Sequence, residues 1–107
     1  MQKIFSLLGA AALGLTLSYG VGTASAADSI KIPLHNWTSQ LVGAEIVGRI
    51  IQESGSEVEY VPADSGAVYE AMCEGDVDLV HEVWQGAFGV AFEKQVNAGC
   101  VIDAATH

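Results

Sequence analysis

The chain has 107 residues, 50% of them hydrophobic and 16% charged, a composition that folds, and folds as one domain at most. Four Lys and Arg against thirteen Asp and Glu leave a formal net charge of -9. That balance excludes a nucleic-acid surface and a polybasic membrane patch, because both need clustered positive charge.

The chain begins with what reads as an address. Lys3 precedes an apolar stretch from Ile4 to about Leu17, and Ala24 and Ala26 form the small-residue pattern of a signal-peptidase site. The stretch is shorter than the ~20 apolar residues a membrane span needs, and Gly20 and Gly22 break it. Residues 1–26 are therefore expected to be a cleaved signal peptide, and residues 27–107 the mature, periplasmic piece. That piece keeps every acid but only Lys31, Arg49 and Lys94 among the bases.

Ile30, Ile32 and Leu34 alternate as on one face of a short strand, and Pro33 between them removes a ladder donor. Thr38 or Ser39 is placed to cap a helix running to about Glu53, with an apolar face of Val42, Ile46 and Ile50 widened by Val47 and Ile51. Gly55 suits the left-handed position that follows a helix. Glu57 to Val61 is β-prone and ends at Pro62. Asp64 or Ser65 can cap a second helix from about Gly66 to Glu74, which Gly75 stops. Val77 to Val83 reads as a third strand, Phe88, Phe92 and Val96 mark a third helix ending near Gly99, and Val101–Ile102 look like the start of a fourth strand. Strands alternating with helices of this length predict an α/β fold, a parallel sheet with flanking helices.

Ligands of open α/β sheets bind beyond the carboxyl ends of the strands. Trp37 follows the first strand, Tyr69 follows the exit of the second and Trp84 closes the third, so three aromatics are expected on that edge. Ring faces suit a quaternary ammonium, which has no N–H to donate. Each such contact is worth about 0.5–1 kcal/mol when exposed and ~2 or more when desolvated. The competing expectation is that these large side chains serve packing.

The runs Leu34-His35-Asn36-Trp37, Val61-Pro62-Ala63-Asp64-Ser65-Gly66-Ala67-Val68-Tyr69, Gly75-Asp76-Val77-Asp78 and Glu82-Val83-Trp84 carry a resemblance. In order and spacing, from about Ile30 to Asp103, the chain resembles the glycine betaine/proline betaine substrate-binding proteins of ABC importers. The resemblance implies a partial lobe of a type II periplasmic binding protein fold, with residues 27–107 as a first-lobe fragment. Two lobes of ~100–150 residues would need at least ~200. It implies an aromatic cage in which Trp37 and Trp84 are two walls, with Tyr69 lining the cavity or flanking it. It further implies a small quaternary amine ligand, an ABC permease with its ATPase subunit in the inner membrane as partners, and a role in osmoprotection. Neither a cofactor nor a catalytic residue is expected. The sequence departs from the pattern after Trp84, where relatives often have a His and this chain reads Gln85-Gly86-Ala87-Phe88-Gly89.

Glu82, two residues before Trp84 on an alternating strand, shares its side and is a candidate to support a bound cation; the alternative is a solvated or paired carboxylate. His35 is a further candidate contact or a structural histidine. His81-Glu82 begins a zincin-like motif, but Gln85 stands where the second His belongs. Asp76 and Asp78 lack the further acidic ligands of a calcium loop, so no metal site is expected. Cys73 and Cys100, 27 positions apart, permit a disulfide in an exported chain or stand as two independent buried thiols. Two other functional readings remain at this stage: an exported α/β enzyme of hydrolase type, for which no Gly-x-Ser-x-Gly motif is present, and a truncated, non-functional remnant.

Overall fold

A computed structural model describes residues 27–104; the expected signal peptide lies outside them. Five elements follow one another: β1 (Ile30–Leu34), α1 (Thr38–Glu53), β2 (Val58–Pro62), α2 (Val68–Glu74) and α3 (Gln85–Asn97). The two strands pair in parallel, in register from Ile30 opposite Val58 to Leu34 opposite Pro62. A parallel pair needs a crossover of a dozen or more residues, and the sixteen residues of α1 supply it. The described residues thus form a small α/β unit of two parallel strands with flanking helices, the fold class expected.

At the ends of the ladder Ile30 N–H donates to the Glu57 carbonyl (2.8 Å) and Ala63 N–H to the Leu34 carbonyl (3.1 Å). The even-numbered residues of β1 therefore bond toward β2, and Lys31 and Pro33 present their backbone to the opposite edge. There Asp78 N–H donates to the Lys31 carbonyl (2.9 Å), while Lys31 N–H donates to Asp78 Oδ2 (2.8 Å). The expected third strand, Val77 to Val83, goes no further: it lies against β1 without forming a ladder. Pro33 has no N–H to give it, and the Pro33 carbonyl is already taken by the Gln40 side-chain amide at 2.7 Å.

Val101 and Ile102 form no strand either. The N–H groups of Cys100 and Val101 both turn back to the Gln95 carbonyl (3.3 and 3.4 Å), closing the end of α3 instead of entering a sheet. The second helix starts two residues later than expected, because Asp64 Oδ1 accepts from Gly66 N–H (2.8 Å) and Ala67 N–H (3.3 Å) and holds those residues as a turn. Neither Thr38 nor Ser39 caps α1; Trp37 occupies the cap position, with no side-chain bond.

The face that α1 buries is not its most apolar one. Gln40, Ala44 and Gly48 are buried, with Val47 and Ile51 half-buried beside them. Val42, Ile46 and Ile50 are 54%, 55% and 63% exposed. Close approach is the reason: a Cβ on Gly43 would meet the His81 ring, and one on Gly48 would meet the Tyr60 hydroxyl. Small residues are therefore selected on that stripe, and larger ones are left outside.

The main core lies under α2 and α3. Val68, Tyr69 and Val77 are its buried centre, with Met72, Val80, Val83, Phe88 and Phe92 packed around them. Gly75 ends α2 at φ 83°, the left-handed conformation a glycine adopts most readily. Cys73, in the last turn of α2, is joined to Cys100 beyond α3, with Cα atoms 5.2 Å apart.

Two outcomes are expected from this packing. Gln40→Leu leaves the His35 N–H and the Pro33 carbonyl without their amide partner, at a cost of about 1–3 kcal/mol for each group that stays dry. A denaturant titration would register the loss as a lower midpoint at an unchanged slope. Cys73→Ser releases a 27-residue closure and is expected to cost about 3 kcal/mol in the chain-entropy picture, read as a fall in the thermal midpoint under oxidising conditions.

Candidate functional site

The exit of β1 is organised by one buried amide. Gln40, fully buried in the first turn of α1, accepts from His35 N–H through Oε1 (2.8 Å) and donates from Nε2 to the Pro33 carbonyl (2.7 Å). The His35 ring then bonds across to the neighbouring strand exit, with Nδ1 2.8 Å from the Ala63 carbonyl. A carbonyl only accepts, so Nδ1 carries the proton. Held at both ends, the His35 ring stacks on Trp37 with centroids 5.0 Å apart and planes at 28°.

Trp37 is fixed at its edge as well. Its Nε1–H donates to Glu82 Oε1 at 2.7 Å, a bond that spans 45 positions of sequence and is partly shielded from water. A carboxylate acceptor makes this one of the stronger classes of hydrogen bond. The segment pinned along the edge of β1 by Asp78 thus brings Glu82 to Trp37, just beyond the first strand. Trp84 stands immediately before α3 as Trp37 stands before α1, each with extended backbone at a helix cap. The Trp84 side chain is 58% exposed.

Tyr69 does not join them. It is 2% exposed and meets Phe92 edge-on, with centroids 5.7 Å apart, inside the core between α2 and α3. Burial pushes its phenol above the usual tyrosine range. The first turn of α2 faces that core, so an aromatic there fills the interior and not the strand-end edge. His35 is 8% exposed and backs Trp37, and Glu82 is engaged by the indole.

A cleft of about 380 Å³ opens between residues 34–36 and 62–65, at the carboxyl ends of both strands. A larger hollow of about 450 Å³ runs between β2, α2 and Asp76–Val77. Neither tryptophan lines it, and its wall mixes Lys31, Glu59 and Asp76 with aliphatic groups. The strand-end cleft is bordered by His35 but likewise by neither tryptophan.

His81 packs against the Gly43 backbone, and both of its ring nitrogens are buried without a partner. Burial pushes the imidazole below the usual histidine range; Glu82 opposes this shift and His35 adds to it. Local pattern in the sequence did not single out Gln40 or the packing of His81, because their partners are backbone groups and a glycine on other elements. The one available signal was Gly43 and Gly48 inside a helix, where glycine costs about 1 kcal/mol and calls for a packing reason.

Two parallel strands with flanking helices, and an indole anchored just beyond the first strand, are consistent with part of a binding-protein lobe. Residues 28–107 match the family described as the substrate binding domain of the ABC-type glycine betaine transport system, and the chain belongs to that family. It is 44% identical over 110 residues to the trimethylamine N-oxide-binding protein of Pelagibacter ubique (strain HTCC1062), an alignment covering 100% of this chain and 34% of that protein. The chain therefore spans about a third of the length of that relative. The family is one of binding proteins and not of enzymes, which overturns the hydrolase alternative.

His81 makes stability depend on pH with a definite sign. Its folded pKa lies below the unfolded value of about 6.5, so its contribution is complete above that value and declines as pH falls through the folded pKa. Denaturation midpoints measured from pH 7.5 down to 5 are expected to fall less steeply in His81→Phe than in the parent chain.

Proposed function

We propose that the protein captures a fully methylated amine outside the cytoplasm and delivers it to an ABC importer. The ligand class is glycine betaine and its relatives, trimethylamine N-oxide among them, all of which present the same methylated cationic head. On this reading residues 1–26 are a signal peptide removed on export. Residues 27–107 are then part of a first lobe.

One observation carries the proposal: Trp37 is braced by His35 on one face and by Glu82 at its edge. Such bracing is what a ring needs if its other face is to receive a ligand without paying for side-chain ordering at the moment of binding. On this reading the exposed Trp84 ring, two residues beyond Glu82, supplies a second face. A methylated ammonium offers nothing to hydrogen-bond, so ring faces are the chemistry that recognises it. Capture needs only reversible binding, in keeping with a family of binding proteins.

The test is a titration of the isotope-labelled chain followed at the two indole N–H resonances. Glycine betaine, trimethylamine N-oxide and choline are expected to move both signals, with dissociation constants in the millimolar range because a one-sided wall leaves the cation wet. Trp37→Ala should remove the response of the remaining indole. An equal response to 3,3-dimethylbutanoate, whose tert-butyl head has the shape but not the charge, would sink the proposal.

A further inference from the structure

The Trp37–Glu82 bond has a feature that simple bracing does not require. Among the described residues Glu82 has no ion-pair partner, and its one hydrogen-bond partner is the indole Nε1–H at 2.7 Å. The neighbouring His81 is held toward its neutral form by burial, so it does not cancel the carboxylate charge. A full negative charge is thus applied, without compensation, to the edge of the ring proposed as a ligand wall.

We infer that Glu82 is a positioning residue that sets the charge preference of the Trp37 face. Accepting the N–H polarises the indole, which raises electron density over the ring and deepens the potential that attracts a cation. The carboxylate achieves this from the edge, away from the ligand, where a head group without N–H protons has no use for it as an acceptor. His35 covers one face of the ring, so the gain falls on the face left for the ligand. Glu82 therefore discriminates a methylated cation from a neutral group of equal shape. This rests on the methylated-amine reading above and deepens it by naming the residue that reads charge.

The experiment separates charge from bracing. Glu82→Gln keeps an oxygen acceptor for the indole N–H and removes the charge; Glu82→Ala removes both. The readout is the ratio of affinities of the full chain for glycine betaine and 3,3-dimethylbutanoate; each carries one carboxylate, so repulsion of that group cancels. The Trp37 indole N–H resonance, compared between the parent chain and each variant, reports whether the ring is still held. Glu82→Gln is expected to keep the indole bonded and to lower the ratio roughly three- to ten-fold, within the range of cation–π energies. Glu82→Ala is expected to release the indole and weaken both ligands. A ratio unchanged in Glu82→Gln would overturn the inference while leaving the methylated-amine reading intact. Absence of discrimination in the parent chain would remove both.

Discussion

The structure turns on one edge of β1. Lys31 and Pro33 face away from β2, and they offer that edge unequal terms. Lys31 gives a carbonyl to Asp78 N–H and takes the Asp78 carboxylate on its own N–H, and its ammonium reaches the Gly75 carbonyl at 3.0 Å. Pro33 offers no donor, and its carbonyl is already spent on Gln40. The chain after Asp78 is consequently released from the strand direction just where the tryptophan of the first loop waits for a partner.

Two further constraints complete the arrangement. α1 approaches the sheet through small residues, so that His81 lies on the backbone at Gly43 and Tyr60 against Gly48. Cys73 and Cys100 tie the ends of α2 and α3 together, which holds the core of Val68, Tyr69 and Val77 against the helix that begins beside Trp84. Both constraints converge on residues 81–84. His81 is clamped from one side, Glu82 is bonded to Trp37, and Val83 packs into the core, leaving the Trp84 ring as the part of this segment turned to solvent.

The aromatic side chains divide by what surrounds them. Tyr69 and Trp84 both follow strand-like segments, yet one is almost wholly buried and the other mostly exposed. Trp37 is intermediate, with its polar edge satisfied by an ionised group. A buried Trp normally finds a partner for its N–H; here the partner is a carboxylate on a distant segment. That choice couples the two tryptophan-bearing loops, so each loop's position depends on the other.

Order along the chain was legible in the sequence because it depends on neighbours. Alternation at Ile30, Ile32 and Leu34, helical spacing from Thr38 to Glu53, and glycines at positions 55, 75 and 99 act over a few residues. The structure has β1, α1, β2, α2 and α3 in that order, with all three glycines at positive φ. The run of motifs that resembled betaine-binding proteins belongs to the same level, since order and spacing are properties of the chain itself. What lay beyond the sequence were relations across tens of positions. Periodicity marks a stripe as apolar, yet only packing decides which stripe meets the sheet, and contact distance favoured Ala44 and Gly48 over Val42, Ile46 and Ile50. Strand propensity at Val77 to Val83 was overruled by an edge that a proline had closed. Glu82 looked like a strand-end carboxylate and became the anchor of an indole 45 positions away, because a hydrogen bond requires two groups to meet in space and nothing in their local sequence records that meeting.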